Sequence, residues 1–410
     1  MAKARTATRP RTAGSKKARA ARAPARTPAR APKGAGAAAH AGRLARLRGL
    51  IASSGADGLL VTNPKDVGYL TGFLGGDSYL YVPAGSSGAD PGGQAAVVIS
   101  DFRYQEELEE VRRAGTARVH IRAQGMTEAV LEVVGGLLGG PGKLGVQAEH
   151  MSLALKRALE AGLGAGRVVE TGGLVGKLRA VKDEHEIALI VKAARLQEEA
   201  LLTVLEEVRP GQTELEIAAV LEAEMKMRGS DEPGFKTIVA AGAHGSLPHY
   251  RPGTSKVAAN KPLLIDWGAV YQGYHADMTR TFAIGKWNRT MREIYQIVLE
   301  AQESAAAALG PGRTTHEIDA IARRHITRAG YGEQFGHGLG HGMGLDGHED
   351  PRLNPMFAEA VLEVGNVVTV EPGIYLPGLG GVRIEDDYVI TERGARNLCS
   401  LPKSMEFASR

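Results

Sequence analysis

The segment Pro210-Gly211-Gln212-Thr213-Glu214-Leu215-Glu216-Ile217 recurs as Pro311-Gly312-Arg313-Thr314-Thr315-His316-Glu317-Ile318, 101 residues later. A chain that writes the same turn and helix start twice at that distance is constrained to fold, over that region, as two similar halves. In each copy Pro-Gly supplies a turn. Thr213 or Thr314 then caps a helix, and Glu216 or Glu317, three residues on, closes a capping box. Each helix runs to a glycine, Gly229 or Gly330, again 101 apart, and glycine is the residue that most often ends a helix. Residues 176–410 are therefore expected to form a domain with an internal pseudo-twofold, opened by a long helix over 183–208 with Ile187, Ile190, Val191 and Leu196 on its apolar side.

Similar halves predict paired functional residues. Residues 263–280, LLIDWGAVYQGYHADMTR, read as two strands joined by a tight turn at Tyr271-Gln272-Gly273. With Tyr271-Gln272 as a two-residue loop, Asp266 lies opposite Asp277. A turn one residue away slides the pairing by two and still leaves both carboxylates on one face. In the second half, 367–370 runs into Glu371, 105 residues after Asp266, and 380–384 runs into Glu385, 108 after Asp277. Each half thus brings two acids on adjacent strands, and the four are expected to meet at the pseudo-axis. Four carboxylates in one place do not stay ionised together without cations. Two divalent ions balance them, and an oxygen-rich ligand set favours Mn, Co, Fe or Zn. The nitrogen ligand is expected from 336–349, GHGLGHGMGLDGHE, where His337, His341 and His348 stand among closely spaced glycines. Spacing does not say which of the three it is.

At 410 residues, 43% of them hydrophobic, the chain is too long for one core and is expected to hold two domains and a tail. Residues 41–175 read as α/β: a helix from Arg43 with Leu44, Leu47, Leu50 and Ile51 on one face, strands at 58–61, 79–82 and 95–100, and a charged helix over 102–113. They carry no catalytic constellation, which assigns them to substrate cover or subunit contact. No uninterrupted apolar run is long enough to span a bilayer. The single cysteine, Cys399, rules out an intramolecular disulfide and fits a reducing, cytoplasmic setting. The net charge of +4 misleads: residues 1–40 carry eleven Lys/Arg and no acid, so 41–410 carry −7. That Ala/Arg/Pro-rich stretch reads as a disordered basic tail. A solvated extension ranks first for it, ahead of a nucleic-acid or polyanion tether and a transit peptide.

Together these motifs resemble the pita-bread metallopeptidases, in the aminopeptidase P and prolidase branch. The resemblance covers 41–410 and rests on LPHY (247–250), LLIDWGAVYQGYHADMTRT (263–281), GHGLGHGMGLDGHEDP (336–351), VEPGIY (370–375) and GGVRIED (380–386). It implies a creatinase-like α/β domain over 41–175 and an α+β pita-bread catalytic domain over 176–410. It also implies two divalent ions, manganese foremost. Asp266 would bind one ion, His341 and Glu371 the other, and Asp277 and Glu385 would bridge both. By the same resemblance His249, His337 and His348 bind substrate and help stabilise the transition state, while Arg383 holds substrate and the bridging carboxylate. Two departures, Ala276 for a serine and Asp346-Gly347 for an acidic–aliphatic pair, remove no ligand.

The implied function is an exopeptidase hydrolysing Xaa-Pro bonds, as aminopeptidase or dipeptidase, in a homodimer or homotetramer. Water bridging the two ions is acidified to hydroxide, His249 or His348 steadies the oxyanion, and Glu371 shuttles a proton to the proline nitrogen. The rival reading is a non-catalytic binding module on the same fold, tethered by its basic tail; the presence of all five ligands disfavours it. The Asn288-Arg289-Thr290 sequon reads as incidental. Trp267 and Tyr271 read equally as substrate-facing or as hairpin packing.

Overall fold

The computed structural model describes residues 35–85 and 95–404. The expected disordered tail over 1–34 lies outside the described residues. Residues 35–40, assigned to that tail from sequence, belong instead to the helix Ala35–Ser53. Their run of alanines, the strongest helix former, carries the helix eight residues ahead of Arg43. Among the described residues no helix is long and apolar enough to cross a membrane.

The N-terminal region is one six-stranded mixed sheet. Its order is Arg118–Ile121, Val97–Ser100, Tyr79–Pro83, Gly58–Val61, Leu144–Gln147 and Val168–Thr171, with helices in the other connections but none described between Tyr79–Pro83 and Val97–Ser100. The charged helix expected over 102–113 is broken in two, a turn of 3-10 helix at Phe102–Tyr104 and an α-helix at Leu108–Ala114. Asp101 caps the 3-10 turn, accepting from the Arg103 amide and from Arg103 Nε at 3.0 Å each. The helix Leu174–Ala180 follows the last strand.

The helix Glu184–Glu207 begins at a capping box made by Asp183 and Glu186. Its buried Ile187 and Ile190 join the core of the N-terminal sheet, built on Leu44, Leu47 and Leu59, to Met343 and Val367 of the C-terminal region. One apolar core thus runs through both regions.

The pseudo-twofold is visible bond by bond. In the first half the Gly211 amide donates to Val257 O at 2.9 Å, and the Val257 amide donates back to Gln212 O at 2.8 Å. In the second, Gly312 donates to Leu362 O at 2.9 Å and Leu362 to Arg313 O at 2.8 Å. Both expected capping boxes form, Thr213 with Glu216 and Thr314 with Glu317, at the starts of helices Glu214–Met227 and Thr315–Arg328. Each half then builds a sheet around one central strand. Lys261–Trp267 lies between Met278–Ile284 and Ile238–Ala241, and Val367–Val370 lies between Asp386–Thr391 and Gly340–Gly342.

The first-half hairpin turns at Gln272-Gly273, one residue later than the Tyr271-Gln272 loop. Both residues have positive φ, 49° and 81°, the backbone that two-residue hairpins favour. Asp266 therefore faces Thr279 rather than Asp277. The slip is two residues in pairing, so both acids still share a face. Trp267 is core: it is fully buried and its indole N–H donates to Gln197 O at 3.1 Å. Asn288 of the sequon caps the helix Arg289–Ala308 through the Met291 amide.

Candidate metal centre

The four acids sit where strands end. Asp266 is the penultimate residue of Lys261–Trp267, and Asp277 immediately precedes Met278–Ile284. Glu371 follows Val367–Val370, and Glu385 precedes Asp386–Thr391. His341 is the middle residue of Gly340–Gly342. Glycine is required beside it: a Cβ on residue 340 would lie 2.1 Å from Thr369 O, so only glycine lets this strand approach the central one. Ligand atoms of Asp277, His341 and Glu385 all lie within 4.8 Å of one another. His341 Nε2 is 3.3 Å from Glu371 Oε1 and 3.8 Å from Asp277 Oδ2.

Electrostatics show what this cluster is missing. His341 Nδ1 is 3.0 Å from Gly342 O. A carbonyl only accepts, so Nδ1 carries the proton and the Nε2 lone pair faces the carboxylates. Burial pushes the His341 pKa down to about 3, so the ring carries no second proton near neutral pH. Burial, and then the neighbouring carboxylates, push Asp277 and Glu385 well above the usual range. Burial raises Asp266 against the pull of Arg383, and lifts Glu371 to about 8. Asp266 Oδ1 and Asp277 Oδ1 are buried with no hydrogen-bond partner. Buried carboxyl groups facing a lone pair, with acceptor atoms left over, are a donor set for divalent cations, whose charge would keep them ionised. The residues fit the metals that the sequence implies.

A hydrogen-bonded collar holds the acids. Thr279 Oγ1 donates to Glu385 Oε2 at 2.6 Å and accepts from Arg383 Nε at 3.0 Å. Arg383 donates to Asp266 Oδ2 at 2.6 Å and to Tyr375 Oη at 2.8 Å. Tyr375 Oη lies 2.8 Å from His337 Nε2, and His337 Nδ1 lies 2.8 Å from Gly338 O. His337 therefore has both ring nitrogens engaged within the protein and is linked to Arg383 through Tyr375. Asp387 Oδ2 accepts from the Asp277 amide at 3.1 Å.

Above the cluster opens a cleft of about 370 Å³, a size that suits a small ligand. All nine residues singled out from sequence line it: Asp266, Asp277, His341, Glu371, Glu385, His249, His337, His348 and Arg383. The His348 ring stacks on that of His341, centroids 3.9 Å apart. Phe235, Ile238, Pro248 and Phe357 supply apolar wall, and Lys236, Arg251 and Arg352 supply positive charge. Sequence reasoning passed over Thr279, Tyr375 and Asp387. The first two lie inside the quoted motifs, and Thr279 follows once the turn is set correctly. Phe235 and Phe357 are isolated aromatics with no sequence signal.

Fold and site together define a two-domain protein whose C-terminal, internally repeated half is a metal-dependent hydrolase. Residues 188–392 match Metallopeptidase family M24, and residues 43–181 match the Creatinase/Prolidase N-terminal domain. The chain belongs to the M24 metallopeptidase family, with the creatinase-like domain in front of a pita-bread domain. It is 36% identical over 368 residues to "Uncharacterized peptidase YqhT" of Bacillus subtilis (strain 168), covering 88% of this chain and 99% of that one. It is 44% identical over 232 residues to an Xaa-Pro dipeptidase of Pyrococcus furiosus, covering 57% of this chain and 66% of that one. Among solved structures, an Xaa-Pro dipeptidase from Bacillus anthracis superposes with a TM-score of 0.83 at 36% identity, over 89% of this chain and 98% of that chain.

Proposed function

We propose that this chain is a dinuclear metal-dependent exopeptidase that hydrolyses Xaa-Pro bonds. The observation that carries the reading is the convergence of Asp266, Asp277, His341, Glu371 and Glu385 on one open cleft. The Xaa-Pro dipeptidase relatives supply the substrate class. Asp266, Asp277 and Glu385, with His341 and Glu371, would hold two ions, manganese foremost for a set of hard oxygens and one imidazole. Bound there, the ions supply Lewis acidity at the scissile carbonyl and lower the pKa of a water from 15.7 towards about 7.

The rest of the chemistry belongs to the chain. His249 and His348, both lining the cleft, donate N–H to the carbonyl oxygen as it becomes anionic. Arg383, braced by Tyr375 and in turn by His337, holds Asp266 in place and favours its ionised form. Glu371 accepts the attacking water's proton and delivers it to the proline nitrogen, which must be protonated to leave. That nitrogen carries no N–H in the peptide, so the cleft needs no acceptor for one. The apolar residues Phe235, Ile238 and Phe357 suit the pyrrolidine ring and keep water off it. Turnover of Ala-Pro, Ala-Pro-Ala and Ala-Ala with Mn, Co or Zn tests the reading. Proline substrates should be cleaved at least about a hundredfold faster, which is about 2.7 kcal/mol in the barrier. Equal hydrolysis of Ala-Ala would remove the proline claim and leave the peptidase claim.

A further inference from the structure

The segment that carries His348 is held from outside the catalytic domain. Residues 343–349 (MGLDGHE) leave the strand of His341 with glycines at 344 and 347, a backbone with little stiffness of its own. Two acids bracket His348 in this segment, Asp346 and Glu349, and three cations close on them. Arg179 Nη2 donates to Asp346 Oδ2 at 2.5 Å and also to Glu349 Oε1. Lys65 Nζ reaches Asp346 Oδ1 at 2.6 Å and Leu345 O at 2.8 Å. Lys182 Nζ lies 3.2 Å from Glu349 Oε2. The match to the creatinase-like domain runs to residue 181, past the expected boundary at 175, so Lys65 and Arg179 lie within it and Lys182 directly follows it, ahead of the catalytic match that begins at 188.

The cations are anchored in turn. The other arm of Arg179 donates to Asp66 Oδ1 at 2.8 Å, and Asp66 Oδ2 accepts from Gln147 Nε2 at 2.6 Å. Gln147 ends a strand of the N-terminal sheet, and its carbonyl oxygen accepts from the Thr62 amide at 2.8 Å. A continuous chain of bonds therefore runs from that sheet through Gln147, Asp66 and Arg179 to both acids beside His348. Its inner members are buried: the side chains of Arg179, Asp66, Lys182 and Glu349 are 8%, 6%, 1% and 8% exposed.

Three cations and three carboxylates balance here, yet a buried ion cluster is a poor way to gain stability, because desolvation consumes most of the attraction. What such a cluster does well is hold geometry, since each partner is expensive to misplace. The group it places is the ring stacked 3.9 Å from His341, and a displacement of about 1 Å in such a ring is enough to cost a hundredfold in rate.

We infer that the N-terminal domain is a working part of the active site, with Arg179 as a positioning residue that sets His348 through Asp346 and Glu349. The inference rests on the reading of His348 as a transition-state donor. The test uses the full-length, manganese-loaded protein and a double-mutant cycle of Arg179→Met with His348→Ala on an Xaa-Pro substrate. Arg179→Met should lower kcat at least about tenfold while KM moves less than about threefold and bound metal is unchanged. In the His348→Ala background the same change should cost less than about twofold. In metal-free protein the His348 ring resonances should shift while those of His249 stay in place.

Equal losses from Arg179→Met in both backgrounds, or an unmoved His348 signal, would overturn the positioning role and leave His348 a donor. A His348→Ala enzyme as fast as wild type would instead remove the donor reading and this inference with it. Should Arg179→Met fold poorly, Lys65→Met with Asp346→Asn neutralises a half-exposed pair, 47% and 40% exposed, away from the core. It should reproduce the pattern with about a threefold loss of kcat; full activity and an unmoved His348 signal would again overturn the inference.

Discussion

Removing the metal should make this protein lose stability as pH rises through neutrality. In the metal-free cluster Asp266, Asp277, Glu371 and Glu385 are all pushed upward, Glu371 to about 8. A carboxyl with a folded pKa above its unfolded value binds its proton more tightly when folded. Its contribution is therefore complete below the unfolded pKa and is lost as pH rises to the folded one. Moving Glu371 from 4.5 to about 8 corresponds to at most about 5 kcal/mol. That is an upper figure, because its side chain keeps 16% exposure.

Histidines act oppositely at lower pH. Burial depresses His337 to about 4 and His341 to about 3, so each adds stability as pH climbs towards the unfolded value near 6.5. The Cys399 thiol is pushed up by burial, so its effect begins only near the ordinary thiol range. The clean window is pH 7 to 8. There the metal-free protein should lose on the order of 1 kcal/mol per pH unit for each proton the cluster still holds. The assay is urea unfolding of metal-free and manganese-loaded protein at pH 7.0, 7.5 and 8.0. Metal-free stability should fall across the window more steeply than that of the loaded protein, and Asp277→Asn should flatten the metal-free slope. A metal-free stability that is flat or rising between pH 7 and 8 would refute the crowded-anion account.

Thr279→Val keeps the side-chain volume but removes the bond to Glu385 Oε2 and the acceptor for Arg383. Manganese affinity, measured by chelator competition, should fall about 10- to 100-fold, and unchanged affinity would show that Thr279 does not orient the bridge. Glu214 is fully buried and accepts from the Ala241 amide, Tyr250 Oη and the Gly253 amide, besides pairing with His244; these anchor the loop that carries His249. Glu214→Ala should cost about 2–4 kcal/mol by urea unfolding, since several part-buried donors lose their partner at about 1 kcal/mol each; a loss under about 1 kcal/mol would contradict this. The pseudo-twofold predicts that Thr213→Ala and Thr314→Ala each cost about 1 kcal/mol, and values differing by more than about 1 kcal/mol would show that the two caps are not equivalent.

Much of the site was legible because it is written in local pattern. The repeated turn and capping box required two halves, and the acids at strand ends followed from matching them. What spacing left open was decided by backbone geometry. Tyr271-Gln272 and Gln272-Gly273 are both plausible loops by position, and only the positive φ at Gln272 and Gly273 chooses the second. Of the three histidines in 336–349, the one on the strand beside Glu371 is His341, which sequence position alone does not show. Thr279 was missed because its partner Glu385 stands 106 residues away. The bridge through Arg179 was illegible for the same reason: positions 66, 179 and 346 meet only after both domains have folded.

Hydrolysis by this protein requires that the cluster hold the cations that turnover needs. Manganese added stepwise to metal-free protein, with bound metal and Ala-Pro hydrolysis followed in the same sample, measures this directly. Activity should rise from zero in proportion to bound manganese in the wild type and stay absent in Asp277→Asn. Hydrolysis by the metal-free protein, or an Asp277→Asn enzyme that binds and turns over like wild type, would contradict it.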